Sequence, residues 1–259
     1  MKNLKNMFHQ TQGEEKIKDK FLSVVMPVYD EEFVIEKVVR EFCKDVLDKF
    51  EEKEFIVVND SSKDNTLKIL KNLEKEITYL KIIDLEKNSG HGIALRTAYD
   101  ASRGDLIFHC DSDDQYNPKN FWLLLQIMKD KDLDVVLGHR KNRHDPFNRL
   151  IVTRLLRAVI FLLHGVFIID ANTSFKIHRR ESLEKILSIV PNNFSQISAT
   201  TAVTAKKLKM NMAEIPIDHR PRVAGTPVLV NWRLMKTCLR GFKELFIIRD
   251  KIRLARKRI

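Results

Sequence analysis

The stretch Leu106-Ile107-Phe108-His109-Cys110-Asp111-Ser112-Asp113-Asp114-Gln115 joins an apolar run to a dense acidic cluster. The apolar half predicts a buried strand, which ends where the acidic half begins. Carboxylates as close as Asp111 and Asp113 repel one another, so they are hard to explain unless a cation lies among them. Oxygen ligands suit Mg²⁺ or Mn²⁺, ions that commonly bridge a protein to phosphate oxygens. The stretch therefore predicts a divalent-metal, phosphate-handling site; an acidic turn is the alternative, and Asp114 could equally start the next helix.

Apolar strands alternate with amphipathic helices around this stretch. Strands are predicted at 21–28, 54–59, 79–84, 105–110 and 133–138, and helices at 31–50, 64–77, 92–102 and 118–129. Such alternation is typical of an α/β fold, in which a parallel sheet is covered on both faces. Ligands of these sheets bind at the carboxyl ends of the strands. Asp60, Asn88 and Asp111 are therefore expected to converge in one crevice.

The pattern changes after about residue 140. Helices are predicted at 149–163, 181–190, 196–208 and 228–259, and strands at 172–178 and 211–217. No repeat and no low-complexity linker separates the halves, so the second half is expected to extend the first. The predicted organisation is a polar lead-in (1–20), one main domain (21–227) and a basic helical extension (228–259).

Charge and composition narrow the range of partners. The 259 residues carry a net charge of +11, which favours a polyanion, an anionic membrane face or a phosphorylated substrate. The basic residues are not interleaved with exposed aromatic residues, so nucleic acid is not expected. The final basic helix could dock on anionic lipid headgroups or be a solvated helix end.

Location is predicted from cysteines and apolar runs. The three cysteines form no CxxC pair, and the N-terminus has no apolar signal core, so a cytoplasmic protein is expected. The run 158–169 is too short to span a membrane; it predicts either a core helix leading into a strand or a patch that touches a membrane surface. Five histidines show no zinc-binding spacing: His91, His109, His139, His144 and His219. His109 is interpreted as a strand side chain and the other four as surface residues.

Three more loops follow predicted strands. Pro27 is expected to end the first strand, and Tyr29 is placed to stack on a flat ring. Asp60 follows the second strand, where its carboxylate can accept from the N–H of a nucleobase. Gly90 and Gly92 precede a helix and would allow close backbone approach to an anion at its N-terminus.

Taken in order, these pieces resemble the family-2 glycosyltransferases, and within them the dolichyl-phosphate mannose synthase-like branch, which transfers sugars to polyprenyl phosphates. The resemblance spans about residues 21–227 and rests on the ordered set Pro27/Tyr29/Glu31, Asp60, Gly90/Gly92 and Asp111-x-Asp113-x-Gln115. It implies the nucleotide-sugar-binding glycosyltransferase A-type fold, a mostly parallel central sheet flanked by helices, with a helical C-terminal extension.

The resemblance also implies roles on the donor side. The base and ribose of a UDP- or GDP-sugar would be held by Pro27, Tyr29, Glu31 and Asp60. Asp111 would contact the ribose and the metal, and Asp113 and Gln115 would ligate the Mg²⁺ or Mn²⁺ that bridges the diphosphate. That ion would stabilise the charge on the departing nucleoside diphosphate.

On the acceptor side the resemblance points to arginines, whose planar fork meets phosphate oxygens bidentately. Gly138-His139-Arg140 resembles the Gly-Ser-Arg sequence with which the family ends a strand. Arg149 and Thr153 lie four apart on one helical face and resemble an arginine–serine pair that receives an acceptor phosphate. Arg222 opens a segment resembling a loop that closes over the diphosphates. Asp170 resembles the aspartate that faces the reacting centre; a turn aspartate before a strand is the alternative.

Several positions depart from the family's pattern. Ser61 and Ser174 stand where glycine is usual, Pro227 lies near an expected lysine, and Thr200 or Thr201 replaces an acidic residue. The leading hypothesis is a metal-dependent, inverting transfer of a sugar to a polyprenyl phosphate at a membrane face. The same fold acting on a saccharide or protein hydroxyl, with Asp170 as base, is a second hypothesis. A non-catalytic nucleotide-sugar-binding protein is a third.

Overall fold

The computed structural model describes residues 16–141, 147–221 and 231–257, with the side chains of all of these except 147–152 and 231–238. Its centre is a seven-stranded sheet with the order β3-β2-β1-β4-β6-β5-β7. The strands are β1 (Leu22–Val28), β2 (Lys53–Asn59), β3 (Leu80–Asp84), β4 (Leu106–His109), β5 (Val135–Lys141), β6 (Lys176–Arg179) and β7 (Met212–Asp218).

Helices cover both faces of the sheet. They are α1 (Ile35–Asp45), a 3₁₀ turn (Leu47–Lys49), α2 (Thr66–Glu76), α3 (His91–Ala101), α4 (Asn120–Asp130), α5 (Phe147–His164), α6 (Arg180–Leu187), α7 (Ile197–Lys207) and α8 (Asn231–Arg256). The buried apolar residues form two clusters, one on each side of the sheet. Val24 and Met26 face one cluster and Val25 the other, because successive side chains of a strand point to opposite faces. This explains why the strand sequences are continuously apolar.

The sheet is mostly parallel, which confirms the expected α/β architecture. β1 pairs in parallel with β2 and β4, β2 with β3, and β5 with β7. Only β6 runs antiparallel, between β4 and β5. The second half of the chain therefore completes the sheet begun by the first half, as the absence of a linker suggested.

Three sequence predictions need correction. Pro27 does not end the first strand but lies inside β1, opposite Val58. The carbonyl of Val25 accepts from the Cys110 N–H at 3.2 Å, and Pro27, two residues on, faces the same side beyond the end of β4. Its missing N–H therefore removes no hydrogen bond from the ladder.

The helix predicted at 31–50 begins only at Ile35, after a turn in which the Glu31 carbonyl accepts from the Val34 and Ile35 amides. The helical spacing of residues 31–50 predicts Phe33 on the apolar face of the helix; that prediction is wrong, because Phe33 lies in the turn and is 79% exposed. The strand predicted at 172–178 begins at Lys176, because the Thr173 N–H donates to the Asp170 carbonyl at 3.2 Å and forms a turn.

Both ends of the described chain are attached to the domain. Ile17, in the predicted lead-in, exchanges backbone hydrogen bonds with Lys49 and Glu51. Helix α8 packs against α5 and α7. Among the described residues, no helix is both long and apolar enough to cross a bilayer.

Candidate functional site

Asp60 follows β2 at the carboxyl edge of the sheet and is 3% exposed. Its two carboxylate oxygens accept from the Ser89 and Gly90 amides at 2.6 and 2.8 Å. Burial raises the pKa of Asp60, while the two amide hydrogen bonds act in the opposite direction. The carboxylate thus fixes the loop before α3, a role that the sequence did not predict; contact with a nucleobase stays a prediction.

Glycine is required at two positions next to that loop, for different structural reasons. Gly90 is the N-cap of α3 and has φ +91°, a conformation that side-chain-bearing residues rarely adopt. A Cβ on Gly92 would lie 2.3 Å from the Phe194 carbonyl oxygen and 2.5 Å from that of Ser195. Gly92 therefore allows α3 to pack against the segment before α7. Approach of either glycine to a phosphate stays a prediction.

Tyr29 and Glu31 lie in the loop after β1, next to the loop after β2 that begins with Asp60. The pKa of Tyr29 is raised by burial, and the Asp30 and Asp60 carboxylates add to the shift. Glu31 is 7% exposed, and its N–H donates to Thr66 Oγ1 at 2.8 Å. The structure thus brings the predicted base-binding residues to one edge of the sheet.

Asp111 lies at the centre of a polar cluster after β4. His91 Nε2, at the start of α3, is 3.1 Å from Asp111 Oδ1, and His109 Nε2 is 3.8 Å from the same oxygen. Ser174 Oγ donates to Asp111 Oδ2. Burial alone would raise the pKa of Asp111, but the neighbouring His109 and His91 hold it well below its usual range. Hydrogen bonds thus join Asp60 to Ser89 and Gly90, and His91 beside them lies next to Asp111. The crevice predicted to be shared by Asp60, Asn88 and Asp111 stays a prediction.

This cluster fits a divalent cation. Within the described ranges, His91, His109 and Asp111 are the group of His, Cys, Asp or Glu side chains whose ligand atoms lie within 4.8 Å of one another. Asp111 supplies an ionised oxygen, as Mg²⁺ and Mn²⁺ require, and imidazole nitrogens suit transition metals. His91 was interpreted as a surface residue, and no sequence spacing linked it to Asp111.

The other predicted metal ligands lie one turn further along. Asp113 Oδ1 accepts from the Gln115 N–H at 3.2 Å, and Gln115 Nε2 donates to the Arg220 carbonyl at 3.0 Å. Asp113 and Gln115 lie outside the His91–His109–Asp111 group, so their role as ligands stays a prediction.

Asp114 does not start the next helix, since α4 begins at Asn120. Its side chain is 3% exposed, lies 2.5 Å from Lys37 Nζ and is 3.7 Å from a guanidinium nitrogen of Arg220. Asp114 therefore ties the acidic turn to α1 and to the chain after β7.

His219 was expected on the surface, and that prediction is wrong. Its side chain is buried, with 6% exposed, and packs edge-on against Tyr116.

The predicted acceptor side contains a bidentate ion pair. Arg140, at the end of β5, donates to both oxygens of Asp170, and Asp170 is 4% exposed. Thr153 is half-buried on α5, whereas the side chain of Arg149 and all of Arg222 lie outside the described part of the chain. The structure therefore unites Arg140 and Asp170 and leaves the roles of Arg149, Thr153 and Arg222 as predictions.

Lys176 is a further polar residue of this region, and sequence reasoning missed its role. It is fully buried, and its Nζ donates to the carbonyl and the Oγ of Ser198 at 2.9 and 2.8 Å. Burial lowers the pKa of Lys176 to about 7, although Asp170 and Asp111 act in the opposite direction. The position of Lys176 between two apolar residues, Phe175 and Ile177, was the available signal.

Comparison with known proteins shows the family to which the chain belongs. The family profile described as Glycosyl transferase family 2 matches residues 23–187. A dodecaprenyl-phosphate galacturonate synthase of Rhizobium johnstonii is 29% identical over 234 residues, 90% of this chain and 68% of that protein. A UDP-N-acetylglucosamine–dolichyl-phosphate N-acetylglucosaminyltransferase of Methanococcus voltae is 26% identical over 241 residues, 83% of this chain and 94% of that protein.

A solved structure shares the fold. Glucosyl-3-phosphoglycerate synthase from Mycobacterium tuberculosis, in complex with Mn²⁺, UDP and glucosyl-3-phosphoglycerate, superimposes with a TM-score of 0.68 at 19% identity, covering 89% of this chain and 80% of that chain. Because the family match spans well over half of the residues, the chain belongs to glycosyl transferase family 2 and is a glycosyltransferase with the A-type fold.

Proposed function

We propose that the chain transfers a sugar from a UDP- or GDP-sugar to a polyprenyl phosphate, in one displacement that inverts the anomeric centre. The observation that carries the proposal is the convergence of Asp60, the loop 88–91 and Asp111 at the carboxyl edge of the sheet. That arrangement places the Asp111 carboxylate beside the N-terminus of α3, at the edge where parallel sheets bind their ligands. The named activities of the relatives from Rhizobium johnstonii and Methanococcus voltae support the polyprenyl-phosphate acceptor.

The donor would be held by residues from three loops. Tyr29 and Asp60 would contact the base, and Asp111 the ribose, while Asp111, Asp113 and Gln115 would hold Mg²⁺ or Mn²⁺. When bound, the ion supplies positive charge to the departing diphosphate. Arg222 is assigned to the same diphosphate by the sequence pattern alone.

The acceptor would enter beside Arg140 and Asp170. A phosphate oxygen is already anionic and needs no base, so Asp170 would orient Arg140 toward it rather than remove a proton. The ion pair supports this assignment, because a carboxylate bound by one guanidinium through both oxygens is a poorer proton acceptor than an unpaired one. Arg149 and Thr153 would add contacts to the same phosphate.

We also propose that the protein works at the cytoplasmic face of a membrane, with residues 21–227 as the catalytic domain and the helix after them as an attachment. The basic character of α8 and its packing on α5 support this placement.

The test is a thermal-shift panel of nucleotide sugars with and without Mn²⁺, followed by transfer to a polyprenyl phosphate. Ligand at about 100 times its dissociation constant stabilises a protein by about 2.7 kcal/mol, which is readily seen as a raised midpoint. A UDP- or GDP-sugar should raise the midpoint only with Mn²⁺, and Asp111→Asn and Asp113→Ala should abolish the shift. Asp100→Asn, an exposed carboxylate paired with Arg96, is the matched control. A full Mn²⁺-dependent shift and normal transfer in Asp113→Ala would refute the assigned metal chemistry.

A further inference from the structure

The exposed large hydrophobic side chains are concentrated in two neighbouring elements. Ten are exposed among the described residues, and all but Phe33 belong to α5, the loop after it, or α8. They are Leu155, Phe161, Leu162, Phe167 and Ile169 in the first two, and Leu239, Phe246, Ile247 and Leu254 in α8. Large apolar side chains gathered in this way mark a surface that meets another apolar medium.

Helix α5 is apolar on two opposite faces. Ile160 is buried, and Leu156, Val159 and Leu163 pack against the core beside it. On the outer face, Leu155, Phe161 and Leu162 are 49%, 56% and 79% exposed. Among the described residues, the solvent-facing side of α5 thus carries three large apolar side chains next to its arginines, more than isolated exposed residues would give.

The charge around these side chains is positive. Residues 153–169 contain no aspartate or glutamate and include Arg154 and Arg157. The exposed residues of α8 from 239 onward include one acidic side chain, Asp250, and the basic side chains Arg240, Lys243, Arg249, Lys251, Arg253 and Arg256. Exposed apolar residues interleaved with basic ones match an anionic lipid surface, where apolar groups enter the acyl boundary and cations meet headgroups.

The same surface continues into the acceptor side of the site. Phe167 and Ile169 lie three residues and one residue before Asp170 in the chain. Arg157 donates to the Ile169 carbonyl at 2.5 Å and its guanidinium lies 5.7 Å from the centre of the Phe167 ring. The Ile169 N–H donates to Glu214 at 2.7 Å. The loop is therefore held in place from both sides, with its apolar side chains outward and Asp170 buried behind them.

We propose that the outer face of α5, its following loop and the exposed side of α8 form one membrane-docking face, which lies on an anionic bilayer leaflet. Docking there would place the Arg140–Asp170 pair at headgroup depth, where the phosphate of a membrane-embedded lipid is found. The inference deepens the proposed function and rests on its lipid-phosphate acceptor.

The experiment is co-sedimentation of the full-length protein with vesicles, without donor or metal. Vesicles that contain phosphatidylglycerol should bind the protein, and vesicles of phosphatidylcholine alone should bind it more weakly. Phe161→Glu and Leu162→Glu should each lower the partition coefficient about tenfold or more, because each removes one large apolar side chain from the bilayer. Phe33→Glu, at the exposed phenylalanine outside the face, should leave vesicle binding unchanged.

Unfolding midpoints show whether the variants fold. Both variants are expected to fold, because Phe161 and Leu162 are exposed. Binding to anionic vesicles that Phe161→Glu, Leu162→Glu and their combination leave intact would overturn the proposal. So would light scattering that shows a dimer of this chain, disrupted by Leu162→Glu, with no vesicle binding. If the protein does not bind vesicles but transfers a sugar to a short-chain, water-soluble prenyl phosphate, the docking face alone is refuted. If it binds vesicles but no nucleotide sugar, the proposed function alone is refuted.

Discussion

Arg140 donates to both carboxylate oxygens of Asp170, Nε to Oδ2 at 2.8 Å and a terminal nitrogen to Oδ1 at 3.0 Å. The arginine stands near the end of β5 and the aspartate in the loop before β6, so the pair joins that loop to β5. The arginine expected to receive the acceptor phosphate is thus oriented by the residue expected at the reacting centre. Their functional effects should therefore be coupled.

Asp170→Asn separates the two possible acceptors. With a phosphate acceptor, the variant should lose about tenfold in transfer, since it only weakens the orientation of Arg140. A hydroxyl acceptor would require Asp170 as base, with a loss of about 10²–10⁴-fold. Steady-state transfer by the variant and the unmodified enzyme measures the loss, with Asp100→Asn as control.

Gly92→Ala tests the packing of α3 against the segment before α7. The added methyl would lie 2.3 and 2.5 Å from two backbone oxygens, those of Phe194 and Ser195, and neither can rotate away. We expect the free energy of unfolding to fall by about 3 kcal/mol, the upper range for overpacking. Gly165→Ala is the control, because its Cβ meets no atom within 4 Å and only its φ of +63° opposes the change, at about 1 kcal/mol. Equal losses of unfolding free energy in urea for the two variants would show that the segment before α7 moves to make room for the added methyl group.

The architecture was predictable because its signals are local. Apolar runs of strand length alternate with helical periodicity, and Asp60 and Asp111 follow strands that are parallel neighbours of β1. The antiparallel insertion of β6 between β4 and β5 was not predictable, since no local pattern specifies which strands pair. Phe33 was misplaced because helical spacing cannot show that the helix begins two residues later.

The site was predictable only where its residues are adjacent in sequence. Asp111 and Asp113 are two apart, whereas His91 reaches Asp111 from another loop. Ser174 was noted only as a departure from a glycine position, yet its hydroxyl donates to Asp111. Contacts of this kind depend on the tertiary approach of loops, which the sequence pattern does not encode.

Glu244→Gln tests how α8 is attached to the domain. Glu244 is 5% exposed, and its carboxylate accepts from the Ser195 N–H at 2.7 Å, from Ser195 Oγ at 2.8 Å and from the Gln196 N–H at 2.8 Å. These groups lie at the N-terminus of α7, where a negative charge is favourable. The neutral amide keeps one acceptor oxygen, so the free energy of unfolding should fall by about 1–3 kcal/mol. Glu184→Gln, in an exposed pair with Arg180, should cost under about 0.5 kcal/mol. Similar values for both would contradict the role of Glu244 as an anchor.

Lys176 should make stability depend on pH. Its folded-state pKa is about 7 because burial disfavours the charged amine, whereas an unfolded lysine titrates near pH 10.4. Between these values the unfolded chain binds more protons, so stability rises with pH; the cost of burying the charge is complete below about pH 7 and fades toward pH 10. Relative to Lys176→Met, the unmodified protein should gain about 2 kcal/mol from pH 7 to pH 9. Urea unfolding of both proteins at the two pH values measures the difference, with the exposed Lys206→Met as control. A difference that does not change with pH would mean that Lys176 stays charged in the fold, stabilised by Asp170 and Asp111.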